Sequence, residues 1–264
     1  MAHYKSKFPN LTRGKSYLNK SVFDAALERI EFLFNEFPNV IVGFSGGKDS
    51  TVIFNLALIV AKKLGRCPLK VLFLDQEAEW QATIDQVHGV MYNPDVEPWW
   101  MQIPIRLFNA TSATDNWLHC WDANEEHRWM RPRDPVAKTE NVYGTDRFHG
   151  MFAAILRHHF KDQPVAYLTG MRCEESPTRS MALTGQATYK WITWALREAK
   201  DQPHYAFHPL YDWTYSDIWK AIHNNGWPYN VIYDAYYRYG HPSTRCGSVM
   251  FITGQRCISF SYCR

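Results

Sequence analysis

Residues 40–51 read VIVGFSGGKDST, and no other stretch narrows what this chain can fold into as sharply. Val40, Ile41 and Val42, with Phe44 after Gly43, predict a short buried strand. Ser45, Gly46 and Gly47 form a turn with a bare backbone. Beyond it, apolar residues at Val52, Ile53, Leu56, Ala57, Val60 and Leu64 recur at helical spacing until Gly65. Strand, glycine loop and helix in that order make a polyphosphate cradle. Paired glycines let a phosphate reach main-chain N–H groups, the helix start adds partial positive charge, and Lys48 adds a full one. The pattern is not GxxxxGK[ST], because Val42 stands where glycine is needed and Asp49 where Ser or Thr is needed.

The rest of the chain reads as an enclosing α/β fold. Ser21 with Asp24 resembles a capping box, and Phe23, Leu27, Ile30 and Phe34 give the helix after it one apolar face, ended at Pro38. Residues 70–74, KVLFL, predict a second buried strand ending on Asp75, Gln76 and Glu77. Ligands of parallel sheets bind beyond the carboxyl ends of strands, so Asp75 and Glu77 are candidates for a ribose hydroxyl or a metal. A helix is expected over 81–92 and a weaker strand over 102–107, demoted by Pro104. Residues 117–138 carry much charge and no period, which suggests an insertion or lid. His119, Cys120 and His127 within it match no standard metal spacing, whereas Arg128, Arg131 and Arg133 suit phosphate or partner contacts as well as surface ion pairs. A helix over 148–160 carries His158 and His159 on different faces, and VAYLT at 165–169 predicts a third strand. That strand runs into the charged loop GMRCEESPTR at 170–179. Residues 190–197 read as helical, and Thr214 with Asp217 caps another helix that stops at Asn225, Gly226 and Pro228. Residues 229–264 are dense in Tyr, Gly and Cys and give no assignable element.

These signals predict a doubly wound, mainly parallel sheet with helices on both faces and a mostly irregular or helical C-terminal part. The expected organisation is a basic arm (1–20), a nucleotide-binding unit (21–226) carrying the insertion 117–138, and a Cys- and Tyr-rich extension (227–264). A chain of 264 residues that is 46% hydrophobic can bury a full core, yet no run of about twenty residues lacks polar side chains. The opening MAHYKSKFPNLTRGK has no apolar core of a signal peptide, so a cytoplasmic protein without a membrane association is expected. The six cysteines include no CxxC pair, which fits reduced thiols. A net charge of +3 singles out no partner, but Lys5, Lys7, Arg13, Lys15 and Lys20 come with no acid, so the arm is either a solvated tail or a protein or nucleic-acid contact. An oligomer is equally open.

SGGKDS at 45–50, GMRCEESPTR at 170–179 and HPLYDWTYSDIW at 208–219 together resemble the phosphoadenosine phosphosulfate (PAPS) reductase family of the PP-loop adenine nucleotide alpha-hydrolase superfamily. His119-Cys120-Trp121-Asp122 and VFDAALERIEFLF look like a subgroup related to the immunoglobulin-binding regulator IbrA. The resemblance implies that Ser45, Gly46, Gly47, Lys48, Asp49 and Ser50 wrap the phosphates of ATP or PAPS, with Asp49 near Mg²⁺. It also implies that Gly170 opens a loop whose Arg172 and Arg179 face a sulfate or 3′-phosphate, with Glu175 orienting one of them. An ATP pyrophosphatase or adenylyltransferase is then the first expectation. The second is a thiol-dependent sulfonucleotide reductase, and the third a nucleotide-sensing regulator or subunit of a DNA-modifying system without turnover. The ECG-type cysteine motif of the reductases and the cysteine set of their iron–sulfur relatives are both missing, so no cluster is expected. Reduction would fall to a late cysteine, with the penultimate Cys263 catalytic only in that case.

Overall fold

A computed structural model describes residues 18–110, 112, 114–199 and 201–239, together with the backbone of two short strands near the C-terminus. Most of the basic arm, and the side chains of Cys246, Cys257 and Cys263, lie outside the described residues. The helices are α1 (Val22–Glu36), α2 (Lys48–Lys63), α3 (Gln81–Met91), α4 (Phe148–Phe160), α5 (Pro177–Thr184), α6 (Tyr215–Asn225) and α7 (Ile232–Arg238). The strands are β1 (Asn39–Gly43), β2 (Leu69–Leu74), β3 (Val96–Met101), β4 (Ile105–Phe108), β5 (Trp117–Cys120), β6 (Val165–Leu168), β7 (Ala195–Arg197), β8 (His204–Phe207), β9 (Phe251–Thr253) and β10 (Arg256–Ile258).

Six strands form one sheet in the order β3-β2-β1-β6-β8-β7. All neighbours run parallel except β7, which is antiparallel to β8. β1 lies inside the sheet, and its side chains alternate between two apolar layers, as the two-residue period of a strand requires. Val40 and Val42 face the layer built with Ile30 and Leu33 of α1, Val52 and Leu56 of α2 and Ile218 of α6. Ile41 faces the opposite layer with Tyr167 of β6 and Met151 and Ile155 of α4. Helices therefore cover both faces, and the loop at 45–50 leaves the carboxyl edge at the middle of the sheet.

Local chemistry ends these elements as their sequences predict. Ser21 Oγ accepts from Asp24 N (3.1 Å) at the start of α1. Thr214 and Asp217 form a reciprocal capping box on α6, which closes on Gly226 at φ +61°.

Two expectations change. Residues 190–197 are not helical: Lys190 turns at φ +51°, Ile192 and Trp194 bury their side chains, and β7 pairs Ala195 with Phe207. Edge pairing and burial of this β-branched and aromatic run outweigh its helical spacing. The strand expected over 102–107 begins only at Ile105, as β4, and an unexpected strand, β3, precedes it. Val96–Met101 completes the main sheet, with Pro98 tolerated because β3 is an edge strand. After a bend at 102–104, β4 pairs with β5 in a separate antiparallel hairpin. Part of the insertion at 117–138 is thus regular structure.

His208 lies buried just after β8, its Nδ1 2.6 Å from Thr169 Oγ1. Burial, reinforced by the charge of Arg179, pushes its pKa down to about 4. The unfolded chain takes up this proton near pH 6.5, so between those two values the unfolded state binds more protons and acidification favours unfolding. Urea titrations should show His208 removing on the order of 3 kcal/mol of stability between pH 7 and pH 4, and His208→Gln should flatten that slope. An unchanged slope in the variant would assign the acid sensitivity elsewhere.

Candidate nucleotide site

The loop at 45–50 is shaped by one glycine conformation and closed by its own hydroxyls. Gly46 sits at φ +68°, and a Cβ there would lie 2.7 Å from Thr83 Cγ2, so only glycine fits. Gly47 caps α2; its N–H donates to Ser50 Oγ (3.1 Å), while Ser50 Oγ and Thr51 Oγ1 each donate to Gly47 O (2.9 Å). Ser45 Oγ donates to Ser50 Oγ at 3.2 Å.

Lys48 and Asp49 begin α2. Lys48 is only 3% exposed, and its Nζ lies 2.9 Å from Asp49 Oδ2. The other oxygen, Asp49 Oδ1, accepts from Arg172 Nε at 2.6 Å. Arg172 is fully buried and also donates to Glu174 Oε2 (2.8 Å) and to Trp213 O (3.3 Å). Burial alone would disfavour its charge, but Asp49 first, with Glu175 and Glu174, holds the guanidinium pKa above its ordinary value. Gly170 makes this contact possible: a Cβ at that position would stand 2.8 Å from the backbone carbonyl of Asp49. Glu175 accepts from Arg172 N (2.9 Å) and pairs with Arg179, which remains half exposed. Three of the resemblance-implied residues, Gly170, Arg172 and Glu175, thus join the loop directly or through one bond, and Arg179 stands one residue further out.

Asp75 and Glu77 follow β2 but hold protein rather than open space. Asp75 accepts from Trp100 Nε1 (2.8 Å), Gln102 Nε2 (3.0 Å), Glu77 N (2.8 Å) and Arg131 (2.5 and 2.6 Å). Glu77 accepts from Trp121 N (2.6 Å) and Met130 N (3.2 Å). Both carboxylates clamp the insertion onto the sheet. Of the insertion's other arginines, Arg128 pairs with Glu125 at the surface, and Arg133 donates to Trp121 O (3.1 Å) with its guanidinium 4.3 Å from the Trp129 ring centroid.

Asp49 does not fit the Mg²⁺ role in this arrangement, since each of its oxygens already faces a cation. Among the described residues no three His, Cys, Asp or Glu side chains group as metal ligands, His119, Cys120 and His127 included. Burial pushes the Cys120 thiol well above its ordinary pKa, which makes it a poor thiolate.

The sequence reading missed a set of residues that reach the loop from late in the chain. Asn230 Nδ2 donates to Gly46 O (3.1 Å) and Thr83 Oγ1 (3.0 Å), and Tyr233 Oη lies 3.2 Å from Lys48 N. Lys48 Nζ stands 5.4 Å from the Tyr233 ring centroid and 6.0 Å from that of Tyr215. Only Trp227-Pro228-Tyr229-Asn230, a turn-like run after a helix stop, marked a return of the chain, and nothing marked its destination.

The family model described as "Phosphoadenosine phosphosulfate reductase domain" matches residues 39–240. The uncharacterized protein YbdN of Escherichia coli K12 is 29% identical over 233 residues, covering 84% of this chain and 56% of that protein. An adenosine 5′-phosphosulfate reductase of Lysinibacillus sphaericus is 31% identical over 83 residues, which is 31% of this chain and 28% of the reductase. The chain therefore spans about half or less of these relatives' lengths. The crystal structure of Candida glabrata FMN adenylyltransferase with FMN and an ATP analog aligns over 83% of this chain and 64% of that one, at 14% identity and a TM-score of 0.50. At that identity the likeness concerns the fold. No helix among the described residues is long and apolar enough to cross a membrane. With the family model spanning three quarters of its length, from β1 to just beyond α7, the chain belongs to the phosphoadenosine phosphosulfate reductase domain family.

Proposed function

We propose that this chain binds an adenine nucleotide at the loop 45–50 and acts as an ATP pyrophosphatase that transfers an adenylyl group to an acceptor. One observation carries the reading: a buried Lys48–Asp49–Arg172 chain lies at the start of α2, beside a glycine loop on the carboxyl edge of a parallel sheet. Helix start, Lys48 and the loop's backbone amides concentrate positive potential where a triphosphate's charge would sit. An acceptor oxygen attacks the α-phosphorus, the bond to the bridging α,β-oxygen breaks, and pyrophosphate leaves with the electron pair. The chain's own contribution is placement and charge stabilisation, with Lys48 meeting the developing charge and Asp49 positioning Lys48 against Arg172. Arg179, the more exposed arginine, suits the acceptor or the far end of the nucleotide. Mg²⁺ would supply additional charge neutralisation to a triphosphate, but no step here runs through Asp49 as its ligand.

Sulfonucleotide reduction is the second reading, favoured by membership of the reductase family. It needs a thiolate: among the described cysteines Cys120 is buried, burial raises the pKa of Cys67, and Cys173 is part-exposed beside Arg172 in the loop after β6. The late Cys263 is the thiol this reading assigns to the reduction. The third reading, nucleotide sensing without turnover, rests on the basic arm and the Trp-rich insertion.

Pyrophosphate release from ATP by the purified chain, alone and with sulfate, separates these readings. Release is expected, and Lys48→Ala should lower its rate about 100-fold or more, the cost of removing one charge-stabilising donor. Release unaffected by Lys48→Ala would remove this mechanism. Sulfite formation from PAPS or adenylylsulfate with a thiol donor, lost in Cys263→Ser, would instead establish the reductase reading. Tight nucleotide binding without either product would leave the sensor.

Asp49→Ala tests the ion-pair chain independently of catalysis. It strips a fully buried guanidinium of its first carboxylate, so denaturant unfolding should show a loss of about 3–5 kcal/mol. A loss under about 1 kcal/mol would mean that Glu174 alone sustains Arg172.

A further inference from the structure

The segment around α7 reaches the amides that the nucleotide reading reserves for phosphate. Asn230 starts it: its Oδ1 accepts from Ile232 N (3.0 Å), while its Nδ2 holds Gly46 O and Thr83 Oγ1. Asn230 and Tyr233 are both almost fully buried, at 1% and 4% exposure, so this is a packed contact. Gln86 Nε2 ties the same stretch from the other side through Pro228 O (3.0 Å).

What Tyr233 touches matters more than that it touches. Lys48 N–H belongs to the first residue of α2, one of the four amides that a helix cannot satisfy internally and that anions characteristically take. Tyr233 Oη sits 3.2 Å from that nitrogen as its acceptor, and the ring below it lies alongside the Lys48 ammonium. A neutral oxygen thus stands where a phosphoryl oxygen would complete the helix start. A charged oxygen makes a hydrogen bond about twice as strong as a neutral one and gains from the helix dipole besides, so it would displace the phenol on energetic grounds.

We propose that Tyr233 is a residue of the phosphate site, its hydroxyl holding the Lys48 amide in the ligand-free chain and giving it up when a polyphosphate binds. The inference rests on the nucleotide reading above. It makes α7 an element that a ligand must shift, and it makes the tyrosine hydroxyl a competitor of phosphate instead of a contact to it.

Calorimetry with inorganic pyrophosphate and with ATP, on the full chain and on Tyr233→Phe, tests this by sign. The variant keeps the ring beside Lys48 and removes the competing oxygen. It should bind pyrophosphate roughly two- to twelvefold tighter, the factor that corresponds to one ordinary hydrogen bond of about 0.5–1.5 kcal/mol. Weaker or unchanged binding by Tyr233→Phe, where the unaltered chain does bind, overturns the inference and leaves the nucleotide reading standing. Failure of both forms to bind either probe overturns both. A second measurement needs no variant: amide hydrogen exchange across 228–238 should speed up when pyrophosphate is added to the unaltered chain. Slower exchange there would mean that α7 closes over the ligand, which also overturns the proposal.

Discussion

A carboxylate shared between two cations holds the site together. Asp49 meets Lys48 through one oxygen and Arg172 through the other. A guanidinium buried as completely as that of Arg172 is costly without partners, so its position is dictated by the acceptors that surround it. Those acceptors come from three places: the start of α2, the loop after β6, and the carbonyl of Trp213 beyond β8. Glu174 extends the chain by also accepting from Tyr215 N at the start of α6. One buried arginine therefore ties loops more than a hundred residues apart, and the close approach of Gly170 to Asp49 lets them meet.

A second, independent clamp fixes the neighbouring strand end. Asp75, entirely without solvent exposure, takes Arg131, Trp100 and Gln102, and Glu77 takes the backbone of Trp121 and Met130. Glu77 and Trp121 both adopt positive φ (+64° and +55°), a conformation that side chains other than glycine resist. The Trp121 N–H bond to Glu77 and the burial of both residues hold them there. The insertion is thus anchored at the end of β2 by ionic and backbone contacts, and the two acids after that strand serve its placement.

Much of this was legible beforehand. VIVG, KVLFL and VAYL announced β1, β2 and β6 because a strand buried on both faces must be continuously apolar, and parallel pairing puts the carboxyl ends that lead to Ser45, Asp75 and Gly170 at one edge of the sheet. Thr214 and Asp217 announced the start of α6 because capping needs only side chains within one turn. Pairing between distant segments was not legible. Residues 190–197 carry a helical spacing, and only the presence of β8 alongside turns their end into an edge strand. Arg172 was recognisable as a candidate but not as a buried ion-pair partner, and Asp75 was recognisable as lying at the sheet edge but not as the anchor of Arg131. Nothing local in Asn230 or Tyr233 distinguishes them from other residues of an aromatic-rich tail.

The amino-acid sequence by itself determined the strand–loop–helix unit at 40–63, the parallel α/β class and the cluster of charged loops at one edge, because each follows from periodicity, glycine and capping within a few residues. Tertiary structure alone decided which charges those loops would neutralise in one another. It set Arg172 against Asp49, committed Asp75 to the insertion, and brought Tyr233 onto the Lys48 amide. Such contacts depend on burial and on segments far apart in the chain, and burial is a property of the folded whole.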